Sequence, residues 1–236
     1  MGAPATRVLH PLHTNAQIDA DDDKYIVELL RDAGDGPLDL HLETNGGYTD
    51  AAEKIITLLG PYRDRLRVIV PRRAKSNGTL LALAASEIIM GAASELGPID
   101  PFIILGPGQA VPAHFVLQAP GVDPVIHQIA THAVGQTQKL ATDLLTSGQM
   151  KNNIQAIGLA VEALSSRNTY PSHGSVIDHQ EASRLGLCIK YLEPSSEDWG
   201  WCWFLRCLYE QDGRRSNFVK IFEGPQVSTS VRQVAA

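Results

Sequence analysis

Cysteine is scarce in this chain. Cys188, Cys202 and Cys207 are the only three in 236 residues. They are odd in number, late in the sequence and without a C-x-x-C pair. This excludes a disulfide framework and reads as free or buried thiols of a reducing compartment, the cytoplasm. No apolar run reaches the roughly 18 residues of a membrane span, and no basic stretch followed by an apolar core marks a secretory signal. Met1-Gly2 with Thr6 fits the start of a myristoylation motif, a match common by chance. Lys and Arg (20) are outnumbered by Asp and Glu (26), for a net charge of −6. The basic residues occur mostly singly or in pairs such as Arg72-Arg73 and Arg214-Arg215, which read as solvated turns, so no nucleic-acid surface is expected. Aromatic residues make up 6% of the chain, which sets off the run from Trp199 to Phe204. That run is too short to span a membrane and reads as a C-terminal helix docked on its own or a neighbouring subunit.

What is present is a full core. Hydrophobic residues are 44% of the chain, enough for one large α/β domain, or one domain with a tail. Strands over 38–43, 66–70 and 87–90 alternate with helices over 49–59 and 76–86, the pattern of a parallel α/β architecture. Leu38-Asp39-Leu40-His41-Leu42 alternates as a half-buried strand does. A short strand is placed at Arg7-Val8-Leu9, within an otherwise irregular 1–18. Residues 97–112, rich in Gly and Pro, are expected as loop, with a short strand at His114 to Leu117. Long helices are expected over 124–145 and 151–164, a short one over 178–186, and a strand over 187–192. Asp19, Asp21, Asp22 and Asp23 fail as a calcium loop, because the glycine and glutamate of that motif are missing. They suit a helix start. The tail from Pro225 to Ala236 is polar and expected to be mobile.

The chemistry concentrates at two strand-to-helix turns. After Arg67-Val68-Ile69-Val70 the chain reads Ala74-Lys75-Ser76-Asn77-Gly78-Thr79 and then an apolar, Ala-rich helix. Ser76 therefore stands at a helix mouth, where free N–H groups and a partial positive charge face it. A serine there is either an ordinary N-cap or a nucleophile whose oxyanion would meet backbone donors. The first core strand runs into Glu43-Thr44-Asn45-Gly46-Gly47. Paired glycines at such a turn allow positive φ and the close approach of a substrate carbonyl to a bare N–H; a plain loop is the alternative.

Together the two turns resemble the Clp-protease/crotonase superfamily, and within it the serine dehydrogenase proteinase group, relatives of signal peptide peptidase A. The resemblance rests on Asn45-Gly46-Gly47, Ser76-Asn77-Gly78-Thr79, Leu80 to Ala85, Glu87 to Met90, Leu96-Gly97-Pro98-Ile99-Asp100-Pro101 and Glu181-Ala182-Ser183-Arg184-Leu185-Gly186-Leu187, and covers about residues 7–193. It implies a Clp-protease/crotonase-like spiral of strand-strand-helix units over 1–193, with 194–236 as a C-terminal helix and tail available for an oligomer contact. It implies peptide-bond hydrolysis through an acyl-enzyme on Ser76, an oxyanion hole drawn from Gly46, Gly47 and Asn77, no metal or organic cofactor, a peptide or protein substrate and a homo-oligomer.

The general base departs from the family pattern. Signal peptide peptidase A relatives use a lysine on the long helix, and its place in Ala130-Thr131-His132-Ala133-Val134-Gly135-Gln136 holds His132. An imidazole suits proton transfer near neutrality. Lys139, two turns on, is a second candidate, and loss of the base is a third reading. His173, with Asp178 to orient it, and Lys75 are weaker candidates. Asn45 replaces the family's proline, and Asn77 is larger than the usual small residue. The alternatives from other classes are a catalytically silent assembly or binding protein of the same fold, and an acyl-CoA hydratase or thioesterase.

Overall fold

The computed structural model describes residues 5–11, 17–31 and 33–232. Met1, Gly2 and the end of the tail, residues 233–236, lie outside them. A seven-stranded sheet forms the centre. Its parallel part is β1 (Ala5–Pro11), β2 (Leu38–Leu42), β3 (Leu66–Val70), β5 (Glu87–Met90) and β9 (Ile189–Tyr191), hydrogen-bonded in that order. Two antiparallel strands, β10 (Phe218–Glu223) and β11 (Ser228–Arg232), extend the β1 edge. Residues 228–232, expected within a mobile tail, thus form an edge strand. A second, two-stranded parallel ladder, β4 (Arg73–Ala74) with β6 (Glu95–Leu96), stands beside the ends of β3 and β5. This is the parallel α/β architecture that the alternation of strands and helices implied.

Helices cover both faces. α1 (Asp22–Arg31), α2 (Thr49–Leu59), α3 (Asn77–Leu83), α5 (Pro124–Ser147) and α6 (Ile154–Ser165) share one core with Leu40, Leu42, Val68, Val70, Ile88 and Met90. α2 buries Ala51, Ala52, Ile55, Ile56 and Leu59, the stripe its helical spacing predicts. A fully buried Ile or Leu of this kind contributes about 1.5–3 kcal/mol. The opposite face of the sheet carries Asp39, His41, Ile69 and Ile89, and α8 (Glu197–Ser216) lies over it. The alternation of β2 was legible, but its second face is not solvated: the strand is buried along its length. Asp39 pairs with Arg67 through two 2.7 Å bonds, and His41 Nε2 lies 3.3 Å from the Cys202 carbonyl.

Two further segments differ from expectation. Within 97–112 a hairpin forms from β7 (Phe102–Gly106) and β8 (Gln109–Pro112), because Gly108 at φ 71° turns the chain between two apolar runs. Residues 113–118 are a helix, α4 (Ala113–Gln118), not a strand. Ala113 and Val116, one turn apart, bury against Ala130 of α5. The acidic run before α1 has a tertiary partner as well as the helix dipole. Lys220 of β10 reaches Asp19 at 2.7 Å and Asp22 at 2.8 Å, and burial pushes the Asp22 carboxyl up. Trp199 of α8 is buried against Gly91, where a Cβ would stand 2.5 Å from its ring, while Trp201 and Phe204 are exposed. Among the described residues no helix is long and apolar enough to cross a membrane.

Candidate active site

Ser76 occupies the N-cap position of α3, yet its side chain makes no capping bond. Its backbone is at φ 54°, ψ −122°. That region is costly for any residue with a Cβ, by roughly 1–3 kcal/mol, and persists only where the surroundings enforce it. The enforcement is visible. Lys75 N–H bonds the Thr44 carbonyl at 3.0 Å, Gly78 N–H bonds the Lys75 carbonyl at 2.8 Å, and Thr79 N–H bonds the Ser76 carbonyl at 2.8 Å. The Thr79 hydroxyl, fully buried, lies 2.8 Å from the carbonyls of Ala74 and Gly97 and accepts from Gly97 N–H at 3.0 Å. A strained strand-to-helix turn of this kind presents a hydroxyl to a cavity instead of spending it on its own helix.

The glycine turn sits directly against it. Gly46 is at φ 97°, and a Cβ there would stand 2.7 Å from the Ser76 Cβ and 2.9 Å from the Lys75 carbonyl oxygen. The backbone of Ile18 runs alongside. Its N–H donates to the Gly46 carbonyl and its carbonyl accepts from Tyr48 N–H, both at 2.9 Å, which makes a parallel bridge on Gly47. In extended backbone the N–H and C=O of one residue point the same way, so those of Gly47 both turn away from Ile18. The Gly47 carbonyl accepts from Asn77 Nδ2 at 2.6 Å, so its N–H opens towards the mouth of α3. Among the described residues neither Gly47 N–H nor Asn77 N–H donates to a protein acceptor. Gly46 N–H is different: it donates to the Thr44 hydroxyl at 3.1 Å. The larger Asn77 side chain ties the two turns together.

These groups line a cavity of about 540 Å³ whose walls also include Tyr48, Pro101, Phe102, Ile104, Thr137 and His173. Neither His132 nor Lys139 lines it. Both are exposed on α5, and Lys139 pairs with Asp143 one turn on. The buried face of α5 is Ala130, Thr137, Ala141, Leu144 and Leu145. At 3.6 residues per turn, His132 and Lys139 lie about 140–160° round the helix from Thr137. The structure brings Ser76, Gly46, Gly47 and Asn77 together and leaves these two apart.

It does bring His173. The ring Nδ1 is 2.8 Å from Asp100 Oδ1, and the ring stands edge-on to Phe102 at 4.7 Å between centroids. Asp100, 1% exposed, also accepts from Arg167 Nε at 2.7 Å. Asp178 instead caps α7 (His179–Arg184), accepting from Gln180 and Glu181 N–H. Lys75 turns away from Ser76. Its Nζ lies 3.1 Å from the Leu96 carbonyl, 2.9 Å from that of Ser175 and 3.1 Å from Glu95, and burial lowers its pKa against the pull of Glu95. Asp100 stands in the Leu-Gly-Pro-Ile-Asp-Pro block and His173 in a Gly/Ser-rich loop 73 residues on, so no spacing rule links them. Thr137 carried no signal beyond its place on the inner face of α5. Among the described residues, no group of three or more His, Cys, Asp or Glu is placed to hold a metal ion.

A family model for ClpP-like SDH-type serine proteinases matches residues 10–230. Two uncharacterized proteins of Methanocaldococcus jannaschii are similar. One is 30% identical over 215 residues, covering 88% of this chain and 71% of its own length. The other is 33% identical over 114 residues, covering 47% and 39%. Among solved structures, two alanine mutants of the 1510-N membrane-bound stomatin-specific protease share the fold at a TM-score of 0.50 and 16% identity. One covers 84% of this chain and 81% of its own. The other, in complex with a substrate peptide, covers 92% and 83%.

Proposed function

The chain belongs to the ClpP-like SDH-type serine proteinases, and from that membership we propose that it is a peptidase cleaving peptide bonds through an acyl-enzyme on Ser76. The observation that carries this reading is the Ser76 turn itself: φ 54°, ψ −122°, a hydroxyl unused as a cap, and a cavity shared with Gly47 and Asn77. Ser76 Oγ attacks the scissile carbonyl, and the oxyanion is taken by the N–H groups of Gly47 and Asn77. One such donor is worth about 10²–10³ in rate. Gly46 serves by having no side chain, since its N–H is held by Thr44. Phe102, Ile104 and Ala110 of the β7–β8 hairpin give the cavity an apolar wall suited to a peptide side chain.

One observation favours a second reading, a catalytically silent assembly protein: the long-helix positions where relatives carry their base point outward. A fluorophosphonate separates the two. The peptidase takes the label at Ser76, and Ser76→Ala abolishes both labelling and turnover while the melting temperature stays within a few degrees. A Ser76→Ala protein with parental turnover rejects the assignment, and a parent that resists the label and cleaves no substrate favours assembly.

A homo-oligomer is part of the same proposal. Trp201, Phe204 and Leu208 expose one side of α8 at helical spacing, and Ile104 and Leu105 stand out on the hairpin. Exposed apolar patches of this kind mark contact surfaces, and closed symmetric assemblies are the common outcome. Light scattering at micromolar concentration should give a multiple of the 25.6 kDa subunit; a monomer rejects the oligomer.

A further inference from the structure

We propose that the cavity between the central sheet and α8 binds a free amino acid with a large apolar side chain, held as its zwitterion. The site is separate from Ser76, and the proposal does not rest on the peptidase reading. The cavity has a volume of about 390 Å³ and shares no lining residue with the one at the mouth of α3. That volume falls in the range of small-molecule sites, which combine apolar walls with a few placed polar groups.

Strand register builds the sheet side. His41, Ile69, Ile89 and Lys190 stand abreast on β2, β3, β5 and β9, and Asp39 and Arg67 stand abreast one row below. α8 supplies Asp198, Trp201, Cys202 and Leu205, whose spacing puts them on one face of the helix. His41 Nε2 meets the Cys202 carbonyl at 3.3 Å and closes the floor between β2 and α8. Ile69, Ile89, Leu192 and Leu205 make the apolar part, with Trp201, 63% exposed, at the rim.

The charges decide the ligand. Arg67 gives Nε and Nη2 to the buried Asp39, while Nη1 meets no acceptor among the described residues and the side chain stays 30% exposed. Lys190 and Asp198 line the same cavity, yet among the described residues neither forms an ion pair. The Asp39 bond raises the Arg67 pKa, and Glu87 and Asp198 add to that from further off. From Arg67 to Lys190 is two strand spacings and one row, roughly 12 Å between backbones. Two long side chains close that span around one carboxylate, and Asp198 faces them from α8. A simple anion would meet Asp198 and Asp39 as well as the cations, and a simple amine would meet Arg67 and Lys190. A zwitterion suits every group. Its carboxylate lies on Arg67 Nη1 and Lys190 Nζ, its ammonium on Asp198, and its side chain on Ile69, Ile89 and Leu205.

The test is titration calorimetry on the full chain with L-phenylalanine, which should fill a single site per chain. Phenylpropionate lacks the ammonium and phenethylamine lacks the carboxylate, so each should bind about fivefold more weakly or worse. Lys190→Met and Asp198→Asn alter exposed groups, and each should weaken L-phenylalanine about fivefold. The crossed pairs are sharper. Asp198→Asn should not weaken phenylpropionate, and Lys190→Met should not weaken phenethylamine. Cys202 locates the ligand. Bound L-phenylalanine should slow its alkylation by iodoacetamide, read by mass spectrometry, and leave Cys188 and Cys207, which lie outside the cavity, unchanged. Where Cys202 alkylates too slowly to follow, Cys202→Met, which puts a longer side chain into the cavity, should weaken binding instead. No heat up to millimolar ligand overturns the proposal. So does equal binding of the three compounds, parental affinity in both charge variants, or binding that neither protects Cys202 nor responds to Cys202→Met. None of these outcomes touches the assignment of Ser76.

Discussion

Around Ser76, residues 44–47 and 75–79 hold one another through backbone bonds, the Thr44 and Thr79 hydroxyls and a glycine that lies against the serine Cβ, whereas α5 meets the same cavity through Thr137 and turns His132 and Lys139 outward. On the first side a displacement of a few tenths of an ångström has nowhere to go. On the second, an exposed helix face tolerates change. The contrast teaches that the Ser76 turn is specified by close backbone packing, whereas which histidine shares its cavity is specified by the long-range placement of a loop.

The sharpest way to break that contrast is Gly46→Ala. The added Cβ meets Ser76 and the Lys75 carbonyl below 3 Å, at a φ of 97°, so Ser76 must shift. Turnover should fall about 10²-fold or more, as misplacement by an ångström does, and stability should fall with it. Near-parental kcat would mean that the turn is softer than its packing implies. A milder probe is Asn77→Ala. It keeps the backbone N–H but loses the 2.6 Å bond to the Gly47 carbonyl, whose net worth is about 1 kcal/mol. We expect kcat to drop several-fold while fluorophosphonate still labels Ser76; complete loss of labelling would give the side chain a larger part.

On the α5 side the expected sign reverses. Gly135 has open space around its would-be Cβ and lies on the exposed face. Gly135→Ala should stabilise by about 0.8–1.0 kcal/mol, raising Tm by roughly 2–4 °C, with turnover unchanged. A fall in turnover would show that this face takes part in activity, for instance through a subunit contact. The smallest effect expected is a pH slope. Burial lowers the folded-state pKa of Lys75, so the unfolded chain binds more protons between that value and the ordinary lysine pKa near 10.4. Stability gains a rising contribution with pH across that window. Comparing denaturation midpoints of the parent and Lys75→Met from pH 8 to 10 should show a steeper rise in the parent; parallel curves would remove Lys75 from the account.

Much of the fold was legible because its signals are local. The strands at 66–70 and 87–90 and the helix at 49–59 stand where periodicity put them, and Ser76-Asn77-Gly78-Thr79 announced a helix mouth. The β7–β8 hairpin was hidden because Gly and Pro mark both loops and tight turns. Helix 113–118 was hidden because four apolar-rich residues fit either period until Ala113 and Val116 find Ala130. The face of β2 carrying Asp39 and His41 read as solvated, since nothing within the strand announces that a helix 160 residues later will cover it.

The sequence by itself determined the parallel α/β order and the helix mouth at Ser76, since each follows from residues close together in the chain: a serine before an apolar helix, paired glycines at a strand end, apolar residues at strand and helix periods. Only the tertiary structure decided which titratable group shares the cavity with Ser76. Two histidines, His132 and His173, and two lysines, Lys75 and Lys139, were compatible with the residues. The choice among them came from the rotation of α5 about its axis, which its buried Thr137 face fixes, and from the pairing of Asp100 with His173. A side chain's direction depends on the packing of its whole element, and that is a property of the assembled core.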